Sequence, residues 1–472
     1  MADVDVVVIG SGGAGLVAAL TAREHGAERV LVAESEAVVG GSSRLSGGLI
    51  LGAGTRYQRA AGIDDTPDEL FHDYMQMNRW RVDAATVRRF CEVSGPVVEW
   101  LGDLGLEYHA ELVKAGDERT ARVHVPIGNG QAIVDVLHRH CRDRMVDIAL
   151  GQRVDRLLVD GDRVVGVAVG DDEITAHAIV VATGGFGNSP EKVARHFPSA
   201  AATGWTWYIG GDGSRGDAID LGQQVDAQLV GHDHGLRLLH VDYDKNYEAL
   251  LPGWLMMVDA TGHRFVDETA PYGVLDVVVR EHGDRAFVVF DQTSLDRTSE
   301  WGVGQFAYPI PGHQRPLSKH WNPDLVEQMV AAGAVKQADT VEALALALDI
   351  DAVGLAGTVA RYNGFAADGV DRHCGKKAAF LHPIADTPFY GAELRPATVC
   401  STAFGLRITP DAEVLALDDR TIPGLFAAGE CTGNVVGPNY FGSGNNYGNA
   451  CSVGRIAGES AARFAAIRGG AG

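Results

Sequence analysis

The sequence predicts an α/β protein in which one discontinuous domain, built on parallel strands, is interrupted by an inserted α+β domain. Three observations predict it. The chain opens on VDVVVI (4–9), a β-branched run of buried-strand type, followed at once by GSGGAG and a stretch with helical spacing. After about residue 235 the character changes, and Trp, Tyr, His and Asp become frequent. From about 405 the opening style returns, with short apolar strands, glycine turns and a last helix. At 472 residues the chain is long for one domain. The expected division is 1–235 with 373–472 for the outer domain and 236–372 for the insert.

Taken in order, RVLVA (29–33) is a second strand ending at Glu34, and GGSSRLSGG (40–48) is a second glycine-rich loop. Apolar positions at helical spacing predict helices within 67–104 and from 131. VDIALGQRV (146–154) and RVVGVAVG (163–170) read as a hairpin pair, and AIVVATGGF (178–186) as a buried strand ending in glycines. GGDGSRGDAIDLG (210–222) is a glycine turn feeding a helix. Helical character returns over 338–364, and LRIT, EVLAL and GLFAAGE precede a last helix from about 450, with 466–472 frayed. No internal repeat is visible.

Composition excludes several classes. Net charge is −22, from 62 acidic and 40 basic residues, which argues against a nucleic-acid or anionic-membrane binder. The six cysteines have no CxxC or zinc-type spacing, so a reduced protein without attached haem is expected. No apolar run reaches membrane-span length, and MADVDVVVIG lacks a basic n-region, so the expected location is cytoplasmic. His232, His234 and His240 lie near acids, but their loop spacing reads as solvated and no metal site is expected. Trp205, Trp207 and Tyr208 are open to two readings, lining for an apolar ring system or core packing.

GSGGAG fits G-x-G-x-x-G between a strand and a helix, with an acid roughly 20 residues on. Gly10 permits the tight turn, Gly12 lets backbone amides reach a pyrophosphate, and Gly15 lets helix and strand pack. Helix N-terminal amides hold the phosphates, and Glu34 accepts from ribose hydroxyls. Both NAD and FAD fit that fingerprint. The second glycine loop suits an inner pyrophosphate and a flavin ring better than a nicotinamide.

VVVIGSGGAGLVAAL, VVGGSSRLSGG, IVVATGGFG, GDGSRGDAIDLG, HRFVDE, IPGLFAAGE and VGRIAGESAA together resemble the flavoproteins of the fumarate reductase/succinate dehydrogenase superfamily. The resemblance implies a Rossmann-type FAD-binding domain, an inserted substrate (cap) domain, and noncovalent FAD, since the 40–48 loop has no histidine. The cofactor-binding positions it implies are Gly10, Gly12, Ala14, Gly15, Glu34, Gly41, Ser42, Ser46, Gly47, Gly48, Val154, Thr183, Gly184, Asp217, Gly429 and Glu430. Fumarate-reducing members carry arginines at the positions of Tyr272 and Tyr440, and a carboxylate-binding histidine near Cys400, Ser401 and Thr402. Neutral hydroxyls in their place, the shorter 40–48 loop and the register Y-x-G-x-G-x-x-x-G-x-A-x-x-x-G from Tyr440 resemble the 3-ketosteroid dehydrogenase branch.

That branch implies α,β-desaturation of a cyclic ketone, with the β-hydride going to flavin N5 and the α-proton to Tyr272. Tyr108 shares that proton, while the Tyr440 hydroxyl and Gly444 N–H hold the carbonyl oxygen. A ketone α-proton is roughly ten pK units less acidic than a phenol, a gap on the order of 14 kcal/mol. Two oxyanion donors at about 3–4 kcal/mol each recover about half of it. A tyrosine of lowered pKa, with hydride leaving in step, supplies the rest. Tyr447 is expected to pack or touch the flavin. An enone or enoate reductase running the reverse reaction is the alternative, and a non-catalytic flavin-binding scaffold is a third reading. The expected partners are a small cyclic ketone or enone and an electron acceptor of unknown identity.

Overall fold

The computed structural model describes residues 2–114, 116, 118–245, 249–301, 310–312 and 319–469. They form two compact units, one of Met1–Ala201, Gly210–Leu236 and Cys400–Gly472, the other of Ala202–Ile209 and Arg237–Val399.

In the first unit β1 (Val4–Ile9) leads through a glycine turn into α1 (Gly13–Glu24) and then β2 (Val30–Ala33). There follow α2 (Gly41–Leu45), β3 (Ile50–Leu51), α3 (Pro67–Met77), α4 (Ala84–Asp103), β4 (Val123–His124) and α5 (Asn129–Asp143). β5 (Asp147–Ala149), β6 (Arg156–Asp160), β7 (Arg163–Val169), β8 (Asp172–Val181) and α6 (Asp217–Gln223) come next. After the second unit the chain adds β9 (Glu413–Leu415), β10 (Thr421–Ala427) and α7 (Asn445–Gly469). The eight-stranded sheet runs β9-β10-β8-β1-β2-β5, with β7 and β6 continuing from β8. β10, β8, β1, β2 and β5 are parallel. The β-branched run of β1 is central, with Val6 to Ile9 buried, as a strand covered on both faces requires.

α1 has no polar face: Gly13 to Ala22 are all buried. α7 crosses it closely, because a Cβ at Gly454 would lie 2.6 Å from Ala14 O and one at Gly458 2.3 Å from Ala18 O. Those glycines let two backbones approach to a distance no side chain permits.

The second unit is built on a six-stranded sheet ordered Gly235–His240, Phe389–Thr402, Ala286–Asp291, Met256–Val258, with Lys336–Ala338 and Trp207–Tyr208 also pairing the long 389–402 strand. Trp254, Trp321 and Phe290 fill one side of it, and Leu344, Leu355 and Tyr362 the other. Helices Val341–Leu348 and Ala352–Asp368 meet the expectation for 338–364.

Five expectations are corrected. The chain returns to the first unit at residue 400, because Phe389–Leu394 pair antiparallel with Ala286–Asp291. The 146–154 stretch is no hairpin partner of 163–170. Its β5 joins β2 in parallel, while β6 pairs β7 through a two-residue Gly161–Asp162 loop with Gly161 at φ +66. Residues 41–45 of the second glycine loop are a short helix. The last helix begins at Asn445, so Tyr447 sits in its first turn. Residues 466–469 are helical, and the fraying expected for 470–472 lies outside the described residues. Among the described residues no helix is long and apolar enough to cross a membrane.

Candidate active site

The three fingerprint glycines have different physical reasons. A Cβ at Gly10, which has φ +101, would lie 2.5 Å from Ala182 O, and one at Gly15 would lie 1.9 Å from Gly10 O. The fold itself forbids side chains at both. Gly12 is extended, and the nearest atom to its Cβ would be Ser43 Oγ at 3.7 Å. Among the described residues nothing requires glycine at 12, which is the position where a pyrophosphate needs open backbone.

Around that turn the first unit gathers the other expected segments. Ser43 Oγ accepts from Gly13 N–H (2.9 Å), and Ser42 Oγ accepts from Gly211 N–H (2.9 Å) beside Ser214 Oγ (3.2 Å). Ser46 Oγ donates to Ser43 O and accepts from Gly48 N–H. Gly48 packs so tightly on Gly130 that a Cβ would lie 2.5 Å from its nitrogen, whereas Gly41, at φ +45, faces open space. Gly47 is partly buried and Val154 is buried. Gly184, at φ +71, adjoins Ser214, and the buried Thr183 Oγ1 has no hydrogen-bond partner among the described residues. Ala14 packs against Gly429, where a Cβ would lie 2.9 Å from its own.

Glu34 does more than was expected of it. Its carboxylate accepts from Ser11 N–H (2.8 Å), Ser11 Oγ–H (2.5 Å), Ser35 Oγ–H (3.2 Å) and Glu36 N–H (2.7 Å). These donors fill the four lone-pair sites of a carboxylate, so a ribose hydroxyl must replace one of them. Asp217, at the start of α6, has both oxygens on Arg153 Nη1 (2.5 and 2.7 Å), and burial holds its pKa above the ordinary value against that pull. Glu430 is likewise raised by burial, opposed by Thr402, whose N–H and Oγ1 donate to its Oε1. Sequence reasoning missed Ser11, Ser43 and Arg153. Ser43 was legible as the neighbour of Ser42 in a serine pair, but nothing local marks the other two.

Gly12 with room above it, the α1 N-terminus, the Ser42–Ser43 pair and the unpartnered Thr183 hydroxyl fit a dinucleotide. The Gly12 amide with the Ser42 and Ser43 hydroxyls would hold its pyrophosphate, the Gly13 N–H orienting Ser43, and Thr183 would hydrogen-bond further along it.

At the start of α7, Tyr440 is half-buried and its hydroxyl accepts from Asn446 N–H at 3.4 Å. Burial raises its pKa far above the ordinary range, and the neighbouring Cys400 thiol adds to this. The phenol is therefore neutral, a donor and not an anion. Gly444, at φ +87, accepts from Leu51 N–H through its carbonyl (3.1 Å), and a Cβ there would lie 2.9 Å from Leu51 nitrogen. The need for glycine comes from packing on β3, not from ligand approach alone. Tyr447 hydroxyl reaches Gly130 O (3.3 Å) and Ser43 O (3.4 Å), and its ring adjoins Gly13, so it props the cofactor turn.

Tyr108 packs inward. Its hydroxyl donates to Val98 O (3.1 Å), its ring meets Tyr57 and His124 edge-on, and burial raises its pKa. This geometry gives it a packing role and lends nothing to the expected share in proton transfer.

In the second unit Tyr272 is half-buried and begins the helix Tyr272–Glu281 after Pro271. The HRFVDE segment before it is anchored by a buried charge network. Arg264 grips Glu268 through Nε and Nη2 (2.7 and 2.8 Å) and Asp371 through Nη1 (2.6 Å), while Lys376 Nζ lies 3.0 Å from Glu268. Glu268 also accepts from Met257 N–H, tying the segment to the sheet. Burial pushes the Glu268 pKa up, but Lys376 and Arg264 outweigh it and the net shift is downward.

His232 bonds Arg195 O, while His240 lies in a strand with its ring edge-on to Trp207 (4.4 Å) and His320 (4.7 Å). Among the described residues no group of three or more His, Cys, Asp or Glu is placed to hold a metal ion. Trp205 lies beneath the Arg395 guanidinium at 4.3 Å. Trp207 and Tyr208 form a short strand on Thr398 and Val399.

The family model for the FAD binding domain matches residues 5–447. The chain is 31% identical over 473 residues to a probable fumarate reductase of Shewanella frigidimarina, covering 98% of this chain and 75% of that protein. It is 30% identical over 477 residues to the NADH:fumarate oxidoreductase of Klebsiella pneumoniae, covering 98% of this chain but about half (48%) of that protein. Among solved structures, the 3-ketosteroid-Δ4-(5α)-dehydrogenase of Rhodococcus jostii RHA1, in complex with 4-androstene-3,17-dione, is similar with a TM-score of 0.80 at 28% identity, covering 97% of this chain and 96% of that one. The chain belongs to the FAD-binding-domain family and is an FAD-dependent oxidoreductase of the fumarate reductase superfamily, whose members here act on CH–CH groups.

Proposed function

We propose that this enzyme desaturates a cyclic ketone, removing hydrogen from the carbons α and β to the carbonyl. The observation that carries the reading is the half-buried, neutral Tyr440 phenol in the turn before α7, beside Gly444, where the fumarate-reducing pattern has a cation. A fixed cation suits a carboxylate. A neutral hydroxyl with a backbone amide suits a carbonyl oxygen that gains negative charge only in the transition state.

On this reading Tyr440 donates to the carbonyl oxygen, and its own acceptance from Asn446 N–H polarises the hydroxyl as a donor. Gly444 N–H is the second donor, in a turn fixed by its carbonyl bond to Leu51. Tyr272, as its phenolate, takes the α-proton at oxygen and becomes the neutral phenol. Bound FAD supplies the hydride acceptor. Tyr108 is left out of the mechanism, since its hydroxyl is used by Val98 O.

Support for the chemistry comes from the ketosteroid enzyme that matches over nearly its whole length. The reverse reaction, reduction of an enone, is the second reading, favoured by the names of the curated relatives, which include fumarate reductases, a urocanate reductase and a digoxin reductase. Two incubations separate them: 3-ketosteroids and cyclohexanones with an artificial electron acceptor, against the matching enones with reduced flavin. Desaturation with the acceptor is the expected result, and turnover in the reductive assay alone would sink the proposed direction. Tyr440→Phe is expected to lower kcat about 10²–10³-fold. Tyr272→Phe is expected to abolish measurable turnover while FAD content stays that of the parent. Unchanged kcat in Tyr272→Phe would remove it as the base.

A further inference from the structure

The turn that carries Tyr440 and Gly444 has little stiffness of its own. Gly437, Gly442 and Gly444 have φ of +77, +134 and +87, and glycine at such positions leaves the unfolded and misplaced alternatives open. Something outside the turn must hold it, and the last turn of α3 with Asn78 just beyond does so from both sides of Tyr440. The buried Tyr74 hydroxyl has three acceptors around its proton: Val435 O at 3.1 Å, Val436 O at 3.4 Å and Asn445 Oδ1 at 3.2 Å. Its ring stacks face to face on Phe441, the residue after Tyr440, at 5.1 Å and 15°. Asn78 Oδ1 accepts from Asn439 N–H (3.2 Å), the residue before Tyr440, and Asn439 Nδ2 donates to Met77 O (2.7 Å). A Cβ at Gly437 would lie 2.4 Å from Asn78 Oδ1, so the turn is seated against this helix end without slack.

We propose that Tyr74 is a positioning residue for the carbonyl clamp, its hydroxyl and ring together fixing where Tyr440 and Gly444 present their donors. The inference rests on the reading of Tyr440 and Gly444 given above. Tyr74 does no chemistry, since its hydroxyl is directed to Val435, Val436 and Asn445 and burial keeps it protonated. Its effect is geometric, and a displacement near 1 Å at a reacting group costs on the order of 10²-fold in rate.

The test is a titration of FAD-loaded enzyme with 4-chlorophenol, whose phenolate oxygen imitates the enolate oxygen and whose electron-rich ring gives a long-wavelength absorption band beside an oxidised flavin. Tyr74→Phe keeps the ring on Phe441 and removes the hydroxyl. It is expected to weaken 4-chlorophenol binding roughly tenfold, and to lower kcat per bound flavin with KM little changed, at parental FAD content. Tyr243→Phe removes another buried hydroxyl bond, to His320 O, and is expected to leave both readings at the parental value. Equal weakening in Tyr243→Phe and Tyr74→Phe would mean a general stability effect and overturn the inference. If Tyr440→Phe weakens binding but Tyr74→Phe does not, the positioning role falls and the clamp stands. If the parent gives no band, or Tyr440→Phe binds as the parent does, the clamp falls and the inference with it. Should Tyr74→Phe not retain FAD, Asn445→Ala, which removes an acceptor of the Tyr74 hydroxyl and leaves its ring on Phe441, decides by the same criteria.

Discussion

At the scale of single residues, identical amino acids in one motif answer to different forces. Gly15 is glycine because a Cβ would strike Gly10 O at 1.9 Å, whereas Gly12 has 3.7 Å of clearance. Gly12→Ala is therefore expected to leave the melting temperature of the FAD-free protein nearly unchanged while weakening FAD at least tenfold, measured by calorimetry and by flavin fluorescence. Gly15→Ala is expected to cost about 1–3 kcal/mol or more of stability whether or not FAD is present, because the steric conflict is with backbone. A loss of FAD-free stability in Gly12→Ala equal to that of Gly15→Ala would contradict this division. The tyrosines divide in the same way. Tyr440 and Tyr447 stand seven positions apart, yet one hydroxyl meets an N–H and the other meets carbonyls, which separates a clamp from a prop.

At the scale of elements, the contact of α1 with α7 sets two effects against each other. Gly458→Ala in the middle of α7 gains about 1 kcal/mol of helix propensity. The same methyl would lie 2.3 Å from Ala18 O, inside a helix pair that cannot separate without opening the core. Overpacking of this kind costs about 1–3 kcal/mol, and here the opposing atom is backbone, which cannot swing aside. The variant is expected to be net destabilised in denaturant unfolding, and a rise in midpoint would mean the helices yield. The helices, the strand–turn–helix entry and the buried β-branched strands were legible in the sequence because each is written in a local period. The β5 assignment was not, since a three-residue strand has too little periodicity to say whether its partner is β2 or β7. The start of α7 was missed because glycines at 442 and 444 hide a helix that packing, not propensity, nucleates.

For the whole molecule, the Arg264–Glu268–Lys376–Asp371 network links segments more than a hundred residues apart inside the second unit. Burial works against the Asp371 charge, but the Arg264 guanidinium and the N–H groups of His373, Lys376 and Cys374 bring its pKa down to about 2 from an ordinary 3.8. A folded-state pKa below the unfolded one means the folded form binds fewer protons, so this contribution is present above about pH 4 and is lost as pH falls toward 2. Unfolding free energy is expected to drop across that window in the parent and to drop less in Asp371→Asn. An identical slope in both would exclude Asp371 as a source. Lys376→Met leaves Glu268 with one cation fewer in a buried site and is expected to cost about 3–5 kcal/mol, read from denaturant midpoints.

Local sequence encodes the opening strand–turn–helix–strand–acid, the parallel sheet it implies, the return of that architecture at the C-terminus, and the family to which the motifs belong. Those features are encoded by periods of two and 3.6 residues and by glycine positions that any local reading can reach. Tertiary structure alone decided that the Glu34 carboxylate holds Ser11, that Tyr108 is spent on a helix carbonyl, that Gly444 answers to β3, and that the second unit runs on to Val399. Those contacts join residues distant in sequence, 10 apart for Tyr108 and Val98 and 23 apart for Glu34 and Ser11. A hydroxyl or a carboxylate carries no local signal of which distant backbone it will meet. Its role is set when the elements pack.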